Sequence, residues 1–192
     1  MSRFEGIRCL LAYFSRKGLH YVGGKMVDLP VGNTEQVAKV IWKQTKAEAF
    51  AIKPVVPYPK DIRQTARLSQ RELYADARPR LAHRVERMEE YPVVFLGYPN
   101  WWGTLPMPVA AFLEGYDFSG KILLPFCTHE GGGLGNSERA IASLCPGAKV
   151  LPGLAVGADG AAQPQEQVAG WLAQMEAALS FDGFEAFPVL DG

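Results

Sequence analysis

Ile7-Arg8-Cys9-Leu10-Leu11-Ala12-Tyr13-Phe14-Ser15, then sixteen residues, then Gly32-Asn33-Thr34-Glu35, is the stretch on which the reading of this chain turns. The first nine residues are a near-continuous apolar run ending in a hydroxyl, the pattern of a strand covered on both faces in a parallel sheet. Gly32 and Asn33 suit a tight turn. Thr34 is placed to cap a helix whose Val37, Val40 and Ile41 recur at helical spacing. A helix N-terminus with free amides and hydroxyls beside it attracts a phosphate dianion. The alternative is an ordinary strand-to-helix turn capped by threonine.

Ala47 to Pro54 reads as a second strand, followed by Pro54, Pro57 and Pro59, which forbid regular structure and present Tyr58 rigidly. Asp61 to about Glu90 is charged and helical in character, with Leu68, Leu73 and Leu81 as anchors and a break forced at Pro79. His83 falls here and reads as a surface residue. A third strand, Val93 to Leu96, stops in Gly97-Tyr98-Pro99-Asn100-Trp101-Trp102-Gly103. After a short helix through Val109, Phe112 and Leu113, a fourth strand from Lys121 to Cys127 stops in Thr128-His129-Glu130-Gly131-Gly132-Gly133. A helix over 137–144, a fifth strand over 149–156 and a last helix over 165–179 complete the pattern. Such alternation predicts an α/β fold, a doubly wound five-stranded parallel sheet, within a single domain spanning 1–192. Residues 181–192 are expected to form a packed C-terminal tail, because Phe181, Phe184 and Phe187 are too apolar for a free one.

The three chemically unusual loops follow the first, third and fourth strands. The first offers hydroxyls and amides, the second flat aromatics and a glycine, the third a glycine run that lets backbone approach a planar ring. Together they describe a flat heterocycle on a phosphorylated tail.

Ser15 followed by Gly32-Asn33-Thr34 resembles the FMN phosphate loop of the flavodoxin family, interrupted by an insertion of residues 16–31. Tyr98-Pro99-Asn100-Trp101-Trp102-Gly103 and Thr128-His129-Glu130-Gly131-Gly132-Gly133 resemble that family's two ring loops. The resemblance implies strand order 2-1-3-4-5, bound FMN, and a ligand beyond the carboxyl ends of strands one, three and four. It also implies cofactor contacts from Ser15, Gly32, Asn33, Thr34 and the two ring loops. Because the phosphate loop is split, Arg16 or Lys17 is available to add a positive charge. A surface or homodimer contact is the alternative for Trp101 and Trp102. His129 suits a loop-bracing hydrogen bond or a contact to the ring or its substrate, while the flavin carries the redox chemistry. Within the insertion, Leu19-His20-Tyr21-Val22 and Lys25-Met26-Val27-Asp28 flank Gly23-Gly24, a hairpin connection.

Lys plus Arg and Asp plus Glu balance at 20 each, so no field of one sign steers nucleic acid or an anionic membrane, and neither is expected as a partner. The acidic surface of flavodoxins that shuttle electrons to large partners is likewise not evident. The expectation is therefore an NAD(P)H-dependent oxidoreductase acting on quinones or similar small acceptors. The alternatives are a flavodoxin-type electron carrier serving a redox partner protein and a flavin-free scaffold. Met1-Ser2-Arg3-Phe4-Glu5 and the short apolar run behind it resemble neither a span nor a signal peptide, so the expected location is cytoplasmic. Cys9, Cys127 and Cys145 lack metal-ligand spacing and read as reduced, with Cys127 as a small core residue closing its strand. Receiver domains need acids at the end of strand one, and none is present. A dinucleotide fingerprint should follow strand one, yet Gly131, Gly133 and Asn136 follow strand four with the third glycine missing. A Walker loop lacks its Gly-Lys-Ser/Thr.

Overall fold

A computed structural model describes residues 3–181. Its main sheet consists of β1 (Cys9–Tyr13), β4 (Glu48–Ala51), β5 (Val93–Pro99), β6 (Ile122–His129), β7 (Lys149–Val150) and β8 (Leu154–Gly157), with β2 (Gly18–Val22) and β3 (Lys25–Leu29) forming a separate hairpin. Helices α1 (Asn33–Thr45), α2 (Ile62–Tyr74), α3 (Met107–Glu114), α4 (Ser137–Leu144) and α5 (Gln165–Phe181) alternate with the strands. The order is β4-β1-β5-β6-β7, with β8 also on β6, and every pairing in this sheet is parallel. Omitting the hairpin, this is the expected order 2-1-3-4-5. The expected fifth strand is in two pieces: β7 pairs the start of β6 and β8 its end. Pro152 lies between them and has no amide for the ladder.

The sheet is buried on both faces, which explains the unbroken apolar runs of β1 and β5. Leu11, Phe95 and Leu124 face Val37 and Ile41 of α1 and Val168 and Met175 of α5. Leu10, Val94, Leu96 and Leu123 face Val109 and Phe112 of α3 and Ile141 of α4. Cys9, Cys127 and Cys145 are free and buried, and burial pushes the Cys127 thiol up to about 12, so it stays protonated. Gly97 meets Phe126 across the β5–β6 ladder, where a Cβ would lie 2.1 Å from the ring.

Two expectations about elements need correction. The charged stretch 61–90 is helical only over Ile62–Tyr74, capped by Asp61, whose side chain accepts from the Gln64 amide. Beyond it the chain runs back along the residues following β4: Val55 donates to the Arg80 carbonyl and Ala82 to the Lys53 carbonyl. Those partners hold the backbone extended, Met88–Glu90 forms a short 3-10 turn, and His83 is exposed. The tail expected over 181–192 lies outside the described residues, apart from Phe181 at the end of α5. No helix among the described residues is long and apolar enough to cross a membrane.

Candidate functional site

The site lies at the carboxyl ends of β1, β5 and β6, where doubly wound sheets open a crevice. A cavity of about 320 Å³ opens there. That volume falls in the ordinary range for small-molecule sites. Lining residues come from all three loops: Ser15 and Arg16; Asn33 and Thr34; Pro99, Asn100, Trp101 and Trp102; Thr128, His129 and Glu130.

At one end stands the start of α1. Thr34 is not the cap, contrary to expectation. Gly32 is the N-cap residue and has no side chain to offer, so Ser15 caps from across the insertion, its Oγ accepting from the Glu35 amide at 3.1 Å. Asn33 and Thr34 therefore occupy the first helical turn, where amides have no intrahelical acceptor. The Thr34 hydroxyl instead meets the Thr128 hydroxyl at 2.8 Å, tying the helix start to the end of β6. Gly32 closes the insertion onto its own root. A Cβ there would lie 2.2 Å from the Arg16 carbonyl oxygen and 2.3 Å from Ser15 Oγ.

Arg16 is nine-tenths buried, and its guanidinium serves the protein's own backbone. It donates to the carbonyls of Pro59 at 3.2 Å, Lys60 at 3.0 Å and Leu19. His20 Nε2 meets the Arg16 carbonyl at 2.8 Å. Arg16 thus pins the hairpin root to the loop before α2, and burial draws its pKa downward against the favourable charge of Asp61. Lys17 is exposed and outside the cavity lining.

At the other end stand the two aromatic and glycine loops. Trp101 is half-buried, edge-on to Phe14 (centroids 5.3 Å apart) and Tyr58 (5.0 Å). Trp102 is 50% exposed at the rim, in the left-handed backbone region (φ 58°) and followed by Gly103 (φ 78°). Two successive positive φ values make the tight turn that Asn-Gly usually fills, so a tryptophan there is a strained residue beside a cavity. Its indole N–H donates to Ser69 Oγ on α2 at 3.0 Å. Asn100 Nδ2 donates to the Gly133 carbonyl at 2.7 Å, holding the glycine loop against the tryptophan loop. His129 braces the same loop, its Nδ1 accepting from the Gly131 amide at 2.9 Å, which leaves the ring proton on Nε2. Glu130 is at the rim, its carboxyl held above the usual range by burial and then by Asp159.

Tyr98 is not brought to the cavity. Its side chain points into the core, fully buried, with the hydroxyl on Ser137 Oγ at 2.8 Å. Gly32, Gly103, Gly131, Gly132 and Gly133 shape the loops without lining the cavity.

Residues outside the sequence motifs complete the wall. Ala158 follows β8, His20 and Tyr21 come from the hairpin, and Ile62, Thr65, Ala66 and Ser69 come from α2. The latter four fall at i, i+3, i+4 and i+7, one face of a helix, and all are uncharged in an otherwise highly charged segment. That neutral stripe was the available signal; beyond Ile62 its residues are too small or too polar to register as a hydrophobic period.

Sheet order and the position of the cavity define a flavodoxin-like α/β protein. A model of the family described as Flavodoxin matches residues 8–175, and the chain belongs to that family. Among solved structures, it is similar to a protein from Bacteroides eggerthii assigned as a flavoprotein, with 26% identity, TM-score 0.70, and coverage of 87% of this chain and 96% of that one. A second such protein, from Bacteroides uniformis, gives 25% identity and TM-score 0.69 over 88% of this chain and 99% of that one. A flavoprotein in complex with FMN from Lactobacillus acidophilus shares the fold at 17% identity and TM-score 0.58, over 86% and 98% of the two chains. No curated protein matches the chain.

Proposed function

We propose that this chain binds FMN and serves as an NAD(P)H-dependent reductase of quinones or similar small acceptors. The observation that carries the reading is one cavity running from the start of α1, beside Ser15, to the rim formed by Trp102 and His129. The residues present fit such a ligand. Ser15 and the first-turn amides of α1 suit a phosphate, and the tryptophan and glycine loops suit a planar ring.

When bound, FMN supplies the two-electron chemistry, and the net reaction takes NAD(P)H, a proton and a quinone to NAD(P)⁺ and hydroquinone. The chain's own part is positioning. Asn100 and His129 hold the 129–133 backbone in place, Phe14 and Tyr58 fix the plane of Trp101, and Trp102 with Ser69 closes the rim. No side chain need supply a base. The hairpin and α2 add their own residues to the cavity wall, which favours a small acceptor over a docked protein.

Steady oxidation of NADH or NADPH by the FMN-loaded protein, in the presence of a soluble naphthoquinone, is the expected result. A flavin that stays oxidised under excess of both nucleotides, yet is reduced rapidly by a reductase protein, would establish the carrier role instead. Failure to retain any flavin would leave the scaffold.

A further inference from the structure

His129 has two ring nitrogens, and the fold uses one of them. Nδ1 accepts from the Gly131 amide at 2.9 Å, so the proton of the neutral ring sits on Nε2. That N–H has no acceptor among the described residues, although the ring is partly buried and lines the cavity. Nδ1 is turned to its own loop, which leaves the opposite, Nε2-bearing edge to face the cavity. Neighbouring donors are committed to the protein. The Trp102 N–H is spent on Ser69 Oγ, Asn100 Nδ2 holds the Gly133 carbonyl, and the Thr128 hydroxyl meets that of Thr34.

A donor held in one tautomer by the backbone is a fixed dipole, oriented before any ligand arrives, and it suits an oxygen that gains negative charge. His129 stands with Trp102 at the rim, where Trp102 is half exposed and an acceptor enters and leaves. A quinone brings such an oxygen. In its two-electron reduction one quinone oxygen receives two electrons with one proton, and the other is left as an oxyanion. Water at the rim then supplies the second proton. The electrons originate in NAD(P)H, so no further reductant is consumed.

We infer that His129 is a catalytic residue for the acceptor half of the reaction, its Nε2–H donating to the quinone oxygen that becomes the oxyanion while Nδ1 keeps the glycine loop in place. This inference rests on the reductase reading above and assigns the group that activates its acceptor. His129 keeps its proton, because a neutral imidazole is too weak an acid to release it; the ring stabilises charge as an oxyanion-hole donor does.

Two amide substitutions separate the two nitrogens. In His129→Asn the side-chain oxygen reaches the place of Nδ1 and keeps the Gly131 contact, with nothing at the place of Nε2. In His129→Gln the side-chain nitrogen reaches the place of Nε2. FMN-loaded protein is reduced with dithionite, so that the result does not depend on a nucleotide. It is then mixed with menadione or with ferricyanide, which takes single electrons and has no oxygen to stabilise. The ratio of the menadione rate to the ferricyanide rate should fall about tenfold or more in His129→Asn, as loss of a hydrogen bond to a charged group implies. His129→Gln should restore most of it. A ratio unchanged in His129→Asn overturns the assignment. So does a fall matched by an equal loss of FMN affinity, which would make His129 a cofactor contact. Nitrogen NMR of isotope-labelled histidine in the oxidised, FMN-loaded wild type gives an answer without turnover. The chain has three histidines, and the spectrum of His129→Asn identifies the signals of His129. Adding menadione should move its Nε2 resonance and leave Nδ1 nearly in place; an unmoved Nε2 overturns the assignment. Failure of both nucleotides to reduce the FMN-loaded protein contradicts the reductase reading alone, because the dithionite experiment still decides the role of His129.

Discussion

Gly32→Ala is expected to weaken FMN binding about 100-fold, equivalent to about 2.7 kcal/mol, while the protein stays folded. The backbone at Gly32 has φ −67° and ψ 152°, which alanine adopts freely, so the effect comes from space alone. The added methyl would lie 2.2 Å from the Arg16 carbonyl oxygen and 2.3 Å from Ser15 Oγ. Neither can move independently. The Arg16 carbonyl meets His20 Nε2, and Ser15 Oγ accepts the Glu35 amide. Relieving the clash separates Ser15 from the start of α1, which dismantles the proposed phosphate site while leaving the sheet intact. Gly170→Ala on α5, where nothing lies within 4 Å of the added carbon, serves as the control and should leave binding unchanged. Isothermal titration of both variants checks this; wild-type affinity in Gly32→Ala would show that the split loop does not close as described.

Gly97→Ala should be the costliest single methyl in the sheet, destabilising by about 3 kcal/mol, the upper end of ordinary overpacking. The methyl would lie 2.1 Å from Phe126 Cζ, and Phe126 is itself fully buried. Because one ring causes the clash, the cost should be coupled to it. Phe126→Leu is destabilising alone, yet in the double variant it should recover part of the Gly97→Ala loss, a non-additivity that urea unfolding of the four proteins measures. Strict additivity would contradict this packing.

Much of the fold was legible because both faces of its sheet are covered. Cys9–Tyr13 and Val93–Leu96 are apolar without alternation, as buried parallel strands are, and the turns between elements carry their own signals. Gly23 and Gly24, with φ 57° and 77°, announced the hairpin through the conformations that its tight turn demands. Less visible was anything depending on partners distant in sequence. Ser15 caps α1 across 20 residues, Thr34 meets Thr128 across 94, and Arg16 reaches Pro59 and Lys60 across 43 and 44. Each local reading was sterically sound: threonine could have capped α1, and Arg16 could have faced a phosphate. Tertiary contacts gave the α1 cap to Ser15 and set the Arg16 guanidinium on backbone carbonyls. Tyr98 shows the same limit, since an aromatic at the end of β5 can turn to the cavity or the core, and Ser137 on α4 supplies a buried partner on the core side. The α2 wall escaped notice because Leu68, Leu73 and Leu81 dominate that segment's pattern while the cavity takes its small neutral face.

Titrating flavin-free protein with FMN and with riboflavin, while following tryptophan fluorescence, shows whether one cavity joins a phosphate site to a planar-ring site. FMN should bind about tenfold or more tightly than riboflavin, as expected for charge-assisted hydrogen bonds to its phosphate. It should quench emission that is largely removed by Trp101→Phe with Trp102→Phe. Trp171→Phe should leave the quenching in place, because Trp171 packs against Phe95 under α5 and donates to the Pro152 carbonyl. Equal affinity for the two flavins, or quenching that depends on Trp171, would mean that the cavity does not hold the phosphate and the ring in this way.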